Sequence, residues 1–117
     1  MAIPSGSGTE VLKHISNRTL TNSWTTILTG VTNHIYTILS VIATETGSNA
    51  ELLNIGVADD GSNTNLHYIT NMASIPANGT FVWNDKFVIS GAKYLRMALD
   101  SSGDVDIWVS YIDQDWT

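Results

Sequence analysis

The sequence predicts an all-β fold, a single antiparallel β-sandwich of about eight or nine strands in a jelly-roll-like arrangement. Three observations lead there. The stretch Gly103 to Ile112 places Val105, Ile107, Val109 and Tyr111 at every second position, with Asp104, Asp106 and Ser110 between them. That alternation marks a strand buried on one face only. Short runs rich in Val, Ile, Thr and aromatic residues recur between clusters of Gly, Asn, Asp, Pro and Ser, which is strand and turn chemistry. No segment sustains the 3.6-residue period of a helix.

A strand buried on one face needs a facing layer, and 117 residues are enough for one domain to supply it without covalent staples. The chain contains no cysteine, so disulfides and thiolate metal sites are excluded, and synthesis in a reducing cytoplasm is the expectation.

Residues 1 to 8, with Pro4 and Gly6-Ser7-Gly8, read as a flexible N-terminal arm ahead of a sandwich domain at 9–117. Ile3 is its one large branched side chain. The arm either hangs free or lies across a neighbouring subunit, where Ala2, Ile3 and Pro4 would make the contact.

A first strand is expected over Thr9 to Ser16, with Asn17-Arg18-Thr19 as a turn or bend. In the second, Ser23 to Leu28, alternation puts Trp24, Thr26 and Leu28 on one face and Thr25, Ile27 and Thr29 on the other. His34 to Thr44 is apolar on both faces and so belongs mid-sheet or at an interface. Glu51 to Ala58 aligns Leu53, Ile55 and Val57, and a polar loop from Asp59 to Asn65 follows. Leu66 to Thr70 is a short strand. Ile75-Pro76-Ala77-Asn78-Gly79 is a turn, since Pro removes a ladder donor and Asn-Gly accepts positive φ. Thr80 to Trp83 and Lys86 to Ser90 make two strands or one bulged strand around Asn84-Asp85. Tyr94 to Asp100 aligns Leu95, Met97 and Leu99 before the last strand.

Eleven acidic residues against five basic give a net charge of −6, the wrong sign for neutralising phosphates, so no nucleic-acid partner is expected. The N-terminus has neither the basic start nor the apolar core of a secretory signal, and no apolar run approaches the ~18 residues of a membrane span.

Catalytic or metal chemistry has little to build on. His14, His34 and His67 fall in separate strands without metal-ligand spacing. The loop from Asp59 to Asn65 is oxygen-rich, yet it lacks the EF-hand spacing and its terminal Glu, and a solvated loop explains it as well. Asp104 and Asp106 share a strand face, which a half-exposed strand produces by default. No Gly-x-Ser-x-Gly elbow and no phosphate-cradling loop is present. Neither an enzyme nor a cofactor is expected.

The aromatics are more informative. Trp108 and Ile112 lie in the even-numbered row of the last strand. If the odd-numbered row is the core, a Trp is left outside, and exposed Trp is favoured at protein interfaces. The alternative is a Trp filling a gap in a sheet covered on both sides. Trp116 is a second interface candidate, and sugar stacking is a third use for such rings.

The order of segments resembles small virion proteins of tailed bacteriophages, of the marine and cyanobacterial type. The resemblance is carried by Trp24-Thr25-Thr26-Ile27-Leu28, Ile35-Tyr36-Thr37-Ile38-Leu39-Ser40, Ile75-Pro76-Ala77-Asn78-Gly79-Thr80, Asn84-Asp85-Lys86 and Ser102 to Tyr111. It implies a β-sandwich structural component of the particle: a capsid decoration (cement) protein bound to the major capsid protein on the virion surface, as a homo-oligomer with a trimer favoured. The other roles in that group are neck, tail or fibre parts, including modules that bind receptors or carbohydrate.

Overall fold

Alternating one-faced strands solve their burial problem by stacking two sheets, and that is the arrangement found. The computed structural model describes residues 8–101 and 103–116. Within them the strands are β1 (Thr9–Leu20), β2 (Thr25–Thr29), β3 (His34–Glu45), β4 (Glu51–Ala58), β5 (His67–Ile75), β6 (Thr80–Trp83), β7 (Phe87–Ser90), β8 (Tyr94–Leu99) and β9 (Val105–Asp115). The larger sheet runs β1-β9-β3, with β6 and β7 in succession along the far edge of β3; the smaller runs β2-β8-β4-β5. All pairings are antiparallel. The chain changes sheet at every connection except β4 to β5 and β6 to β7, and the nine strands form the antiparallel sandwich expected.

The core lies between the sheets. Val105, Ile107, Val109 and Tyr111 of β9 are at most 7% exposed, and they meet Leu95, Met97 and Leu99 of β8 and Leu53 and Ile55 of β4 in one apolar cluster. β3 sits mid-sheet between β9 and the β6/β7 edge, with one face in the core and the other, bearing Ile42, on the outside.

Three local expectations are corrected, each by a bulge. Asn17-Arg18-Thr19 does not end the first strand. Thr19 takes φ 56° and the register to β9 slips there, after which Leu20 resumes pairing, buried. In β2 the register slips between Thr26 and Leu28, so the successive residues Ile27 and Leu28 are both buried and strict alternation fails. β5 continues through Met72, at φ 58°, to Ile75, so the turn begins at Pro76.

The two sheets differ in length and in what covers them. Strands of 12, 11 and 12 residues in the larger sheet outrun those of 5, 6, 8 and 9 in the smaller. One end of β1, β9 and β3 therefore projects past the core, and Thr9 to His14 are exposed.

The outer face of the smaller sheet is dressed. Arg96, buried there, donates from Nε to Asn63 Oδ1 (2.9 Å), from Nη1 to Thr26 Oγ1 (2.6 Å) and from Nη2 to the Trp24 carbonyl (3.3 Å). A Cβ on Gly56 would stand 2.6 Å from Leu66 Cδ1, so the glycine admits the loop against the sheet. Among the described residues no such cover lies over the larger sheet.

Candidate interface on the larger sheet

Directly paired strand residues share a face, so the register lays out the exposed side of the larger sheet as rungs. One rung is Leu12–Ile112–Thr37–Val88; the next is His14–Ser110–Ser40; the third is Ser16–Trp108–Ile42–Val82. Five of the nine large apolar side chains exposed among the described residues lie on this one face: Leu12, Ile42, Val82, Val88 and Trp108. Exposed apolar side chains gathered on one face, unlike scattered ones, mark an interaction surface.

Trp108 forms a ridge across the face. His14 stacks on its indole, ring centroids 4.3 Å apart and planes 9° apart. A cleft opens on each side. One, of about 330 Å³, is bordered by Ser16, Asn17, Arg18, Ile42, Thr44 and Asp106; the other, of about 540 Å³, by Leu12, Lys13, His14, Leu39, Ser40 and Ser110.

Charged groups at the face are Glu10 at one end, Arg18 and Asp106 at the other, and Lys13 on the border of the second cleft. Glu10 accepts from Gln114 Nε2 (2.7 Å), and Asp106 Oδ1 accepts from the Thr19 N–H (3.0 Å), with Arg18 beside it on the cleft rim.

The projecting end carries a polar cluster on its inner side. Lys13 Nζ donates to Asp113 Oδ2 (2.9 Å), while His34 Nδ1 lies 2.8 Å from Asp113 Oδ1 and His34 Nε2 lies 3.3 Å from Asp115 Oδ1. Burial by itself pushes the Asp113 carboxyl up, but the hydrogen bonds from Lys13 and His34 outweigh it and hold the group below its ordinary pKa. Burial raises the neighbouring Tyr36 and Tyr111 hydroxyls. The cluster pins β1, β9 and β3 together where no second sheet supports them.

Of the residues named from the sequence, Trp108 is 45% exposed on the outer face, and Ile112 is half-buried on the same face two rungs away. Trp116 is elsewhere: its backbone N–H donates to the Asn33 carbonyl (3.0 Å) and its ring packs against Gly8. Ala2, Ile3 and Pro4 lie outside the described residues. Leu12, His14, Ile42, Val82 and Val88 were missed. Their alternation is visible in the sequence, but only strand order places them beside Trp108.

The three histidines do not converge: His14 stacks outside, His34 joins the polar cluster, and His67 is exposed on β5. Among the described residues no group of three or more His, Asp, Glu or Cys is placed to hold a metal ion. In the loop from 59 to 65, Asp60 accepts from the Ser62 and Thr64 N–H groups and the Thr64 hydroxyl, and Asp59 accepts from Asn65 and Lys93. Those carboxylates close the loop on itself. Asp104 supplies its carbonyl to the Thr46 N–H and hydroxyl (both 2.7 Å), so it too is a loop tie.

No protein-family model matches this sequence, and no curated protein is similar to it. Solved structures do share the fold. A chain of Bacillus endospore appendages, described as disulfide-linked pili, has 14% identity and a TM-score of 0.53 over 100% of this chain and 97% of its own. A chain of the T13 IBDV viral particle has 8% identity and a TM-score of 0.56 over 91% of this chain and 31% of its own. A chain of the acid-stable capsid of Helicobacter pylori bacteriophage KHP30 has 8% identity and a TM-score of 0.51 over 92% and 93%. At these identities the likeness is one of fold. The structures sharing it include capsid and pilus proteins, which build large assemblies.

Proposed function

We propose that this chain is a structural protein of a bacteriophage virion, decorating and cementing the capsid shell by non-covalent contacts with the major capsid protein between neighbouring capsomers. It acts by binding, without catalysis. The observation that carries this reading is the outer face of the larger sheet, an apolar surface ridged by Trp108 that no described residue covers. Two viral-particle chains among its structural neighbours support the same reading. With no cysteine in the chain, its contacts do not include the disulfide links named for the Bacillus appendages. Many copies on a shell turn weak single contacts into firm attachment. The protein is made in the host cytoplasm and ends on the capsid surface as a homo-oligomer, a trimer where contacts close around a three-fold.

Residues 1 to 8 act in this reading as an arm adding contacts on a neighbour. Their removal leaves the sandwich folded and weakens attachment. The deciding experiment is the copy number on purified particles: copies comparable to the number of capsomers support shell decoration, and a few copies or none overturn it.

One observation favours a second reading, a carbohydrate- or receptor-binding part of a tail, neck or fibre. The cleft beside the Trp108 indole is rimmed by Ser16, Asn17, Arg18, Thr44 and Asp106, hydrogen-bonding groups next to an aromatic face. Binding of host-surface glycans that is lost in Trp108→Ala supports it; no binding to any of them removes it.

A further inference from the structure

We infer that the cleft on the Asp106 side of Trp108 is a binding site for one neutral hexopyranose unit, seated face-on against the indole. The inference rests on the carbohydrate-binding reading and gives that reading a ligand class. Strand register fixes the setting. Trp108 stands between Ser16 and Ile42 in its own rung; along the strands, the His14–Ser110–Ser40 rung lies on one side of it and Asp106, paired with Thr44, on the other.

The two faces of the indole are used differently. His14 covers one of them from the Ser110 side, with ring centroids 4.3 Å apart and planes 9° apart. The opposite face looks the other way along the strands, toward Asp106 and Thr44, and borders the cleft of about 330 Å³. That volume is at the small end for ligand sites, room for one sugar ring. A ring bound there takes the place against the indole that His14 takes on the far side. Because the His14 stack already holds the indole upright, little side-chain freedom is lost when a ligand arrives.

The rim of the cleft selects the ligand. Arg18 offers only donors, Asp106 only acceptors, and Ser16, Asn17 and Thr44 offer both. Asp106 Oδ1 accepts from the N–H of Thr19, a β-branched residue held at φ 56° where β1 slips register, a conformation that marks a site worth testing for function. Among the described residues Asp106 Oδ2 and the Arg18 guanidinium have no partner. Sugar hydroxyls both donate and accept, so one neutral ring satisfies the two together. An anion would meet Asp106 and a chain of net charge −6, and a cation would meet Arg18. An apolar side chain could stack on the indole but would bury the rim groups unpaired. The C–H bonds on one face of a hexopyranose present an apolar, weakly positive surface to the negative face of the indole, and Ile42, 37% exposed, extends that apolar floor.

The size of the ligand sets the strength. A single sugar of about a dozen heavy atoms, held by one ring contact and a few hydrogen bonds, binds with a Kd on the order of millimolar. Firm attachment to a glycan then needs several copies acting together. The second cleft has no carboxylate on its border, so it serves as the internal control.

The test is a titration of the full chain followed by the proton–nitrogen NMR signals of the Trp108 indole N–H and of the backbone at Ile42 and Asp106. The probes are the methyl glycosides of glucose, galactose, mannose and N-acetylglucosamine, to about 50 mM, with methyl glucuronide as the anionic counterpart. At least one neutral glycoside is expected to shift these signals with a Kd of ~1–10 mM, and the glucuronide to bind more weakly. Trp108→Ala weakens binding about tenfold or more, Asp106→Asn weakens it several-fold, and Leu12→Asp, on the border of the other cleft, leaves it unchanged. Asn keeps an acceptor for the Thr19 N–H, so this variant folds even if the Trp variant does not. Binding indifferent to Trp108→Ala and Asp106→Asn, binding abolished by Leu12→Asp, or a glucuronide that binds as tightly as the neutral sugars overturns the inference. Glycans that bind through Trp108 while no neutral glycoside does would overturn this ligand class and leave the carbohydrate reading standing; absence of binding to any saccharide would overturn both.

Discussion

His14 lies flat against Trp108, 4.3 Å between ring centroids, and the pair stands on the outside of the larger sheet. One residue along β9, Ile107 is 2% exposed in the core, so neighbours in sequence answer to different environments. Trp108→Ala is expected to cost the isolated domain about 1 kcal/mol, the scale of a lost ring contact, while impairing association. Ile107→Ala is expected to cost about 2–5 kcal/mol with the outer face intact. Thermal unfolding of both variants checks this, and equal losses would place the indole in the core.

Asp113 predicts a pH dependence. Its folded-state pKa lies below the ordinary 3.8, so its pairing with Lys13 and His34 stabilises the fold above that value and is lost as pH falls through the lower, folded pKa. Asp113→Asn should therefore be less stable than the parent by about 1.5–3 kcal/mol near neutrality, with the difference vanishing in acid. A difference that persisted well below the folded pKa would show that charge pairing is not the cause.

Gly30 tests a close approach. A Cβ there would stand 2.3 Å from the Gly91 carbonyl oxygen and 2.4 Å from that of Lys93, both backbone atoms that cannot rotate away. Gly30→Ala is expected to cost about 3 kcal/mol or more. Gly61→Ala, whose nearest neighbour is Arg96 Nη1 at 4.0 Å, is the control, with an expected change within about 0.5 kcal/mol. Chemical denaturation of the two variants measures the contrast.

Arg96 tests the independence of the two outer faces. Arg96→Met removes three hydrogen bonds that tie Asn63, Thr26 and Trp24 to the smaller sheet and is expected to destabilise by about 2–4 kcal/mol. Under conditions where the variant remains folded, association through the larger sheet should be unchanged. Comparing unfolding with sedimentation separates the two effects.

The amino-acid sequence alone determined that this chain is all-β and that its strands alternate in period two; which face of the last strand is buried was left open until the structure put Trp108 outside. The row from Val105 to Tyr111 and the row from Leu95 to Leu99 are core because period-two burial is a local property that side-chain polarity writes directly. The tails of that rule appear at Ile27 and Leu28, where a bulge lets two successive residues turn inward, and at Asn17 to Thr19, where turn chemistry was used to kink a strand instead of ending it. Backbone slips of this kind depend on the partner strand.

The tertiary structure decided what the outward rows do. Polarity says that Leu12, Ile42, Val82 and Trp108 are apolar, but these residues are far apart in the chain, and only the order β1-β9-β3-β6 sets them side by side as one surface. It also decided that the loop from 59 to 65 and Arg96 lie over one sheet while no described residue covers the other. Strand neighbours are chosen by long-range pairing and sheet closure, energies summed over the whole fold, and no local stretch of sequence contains that sum.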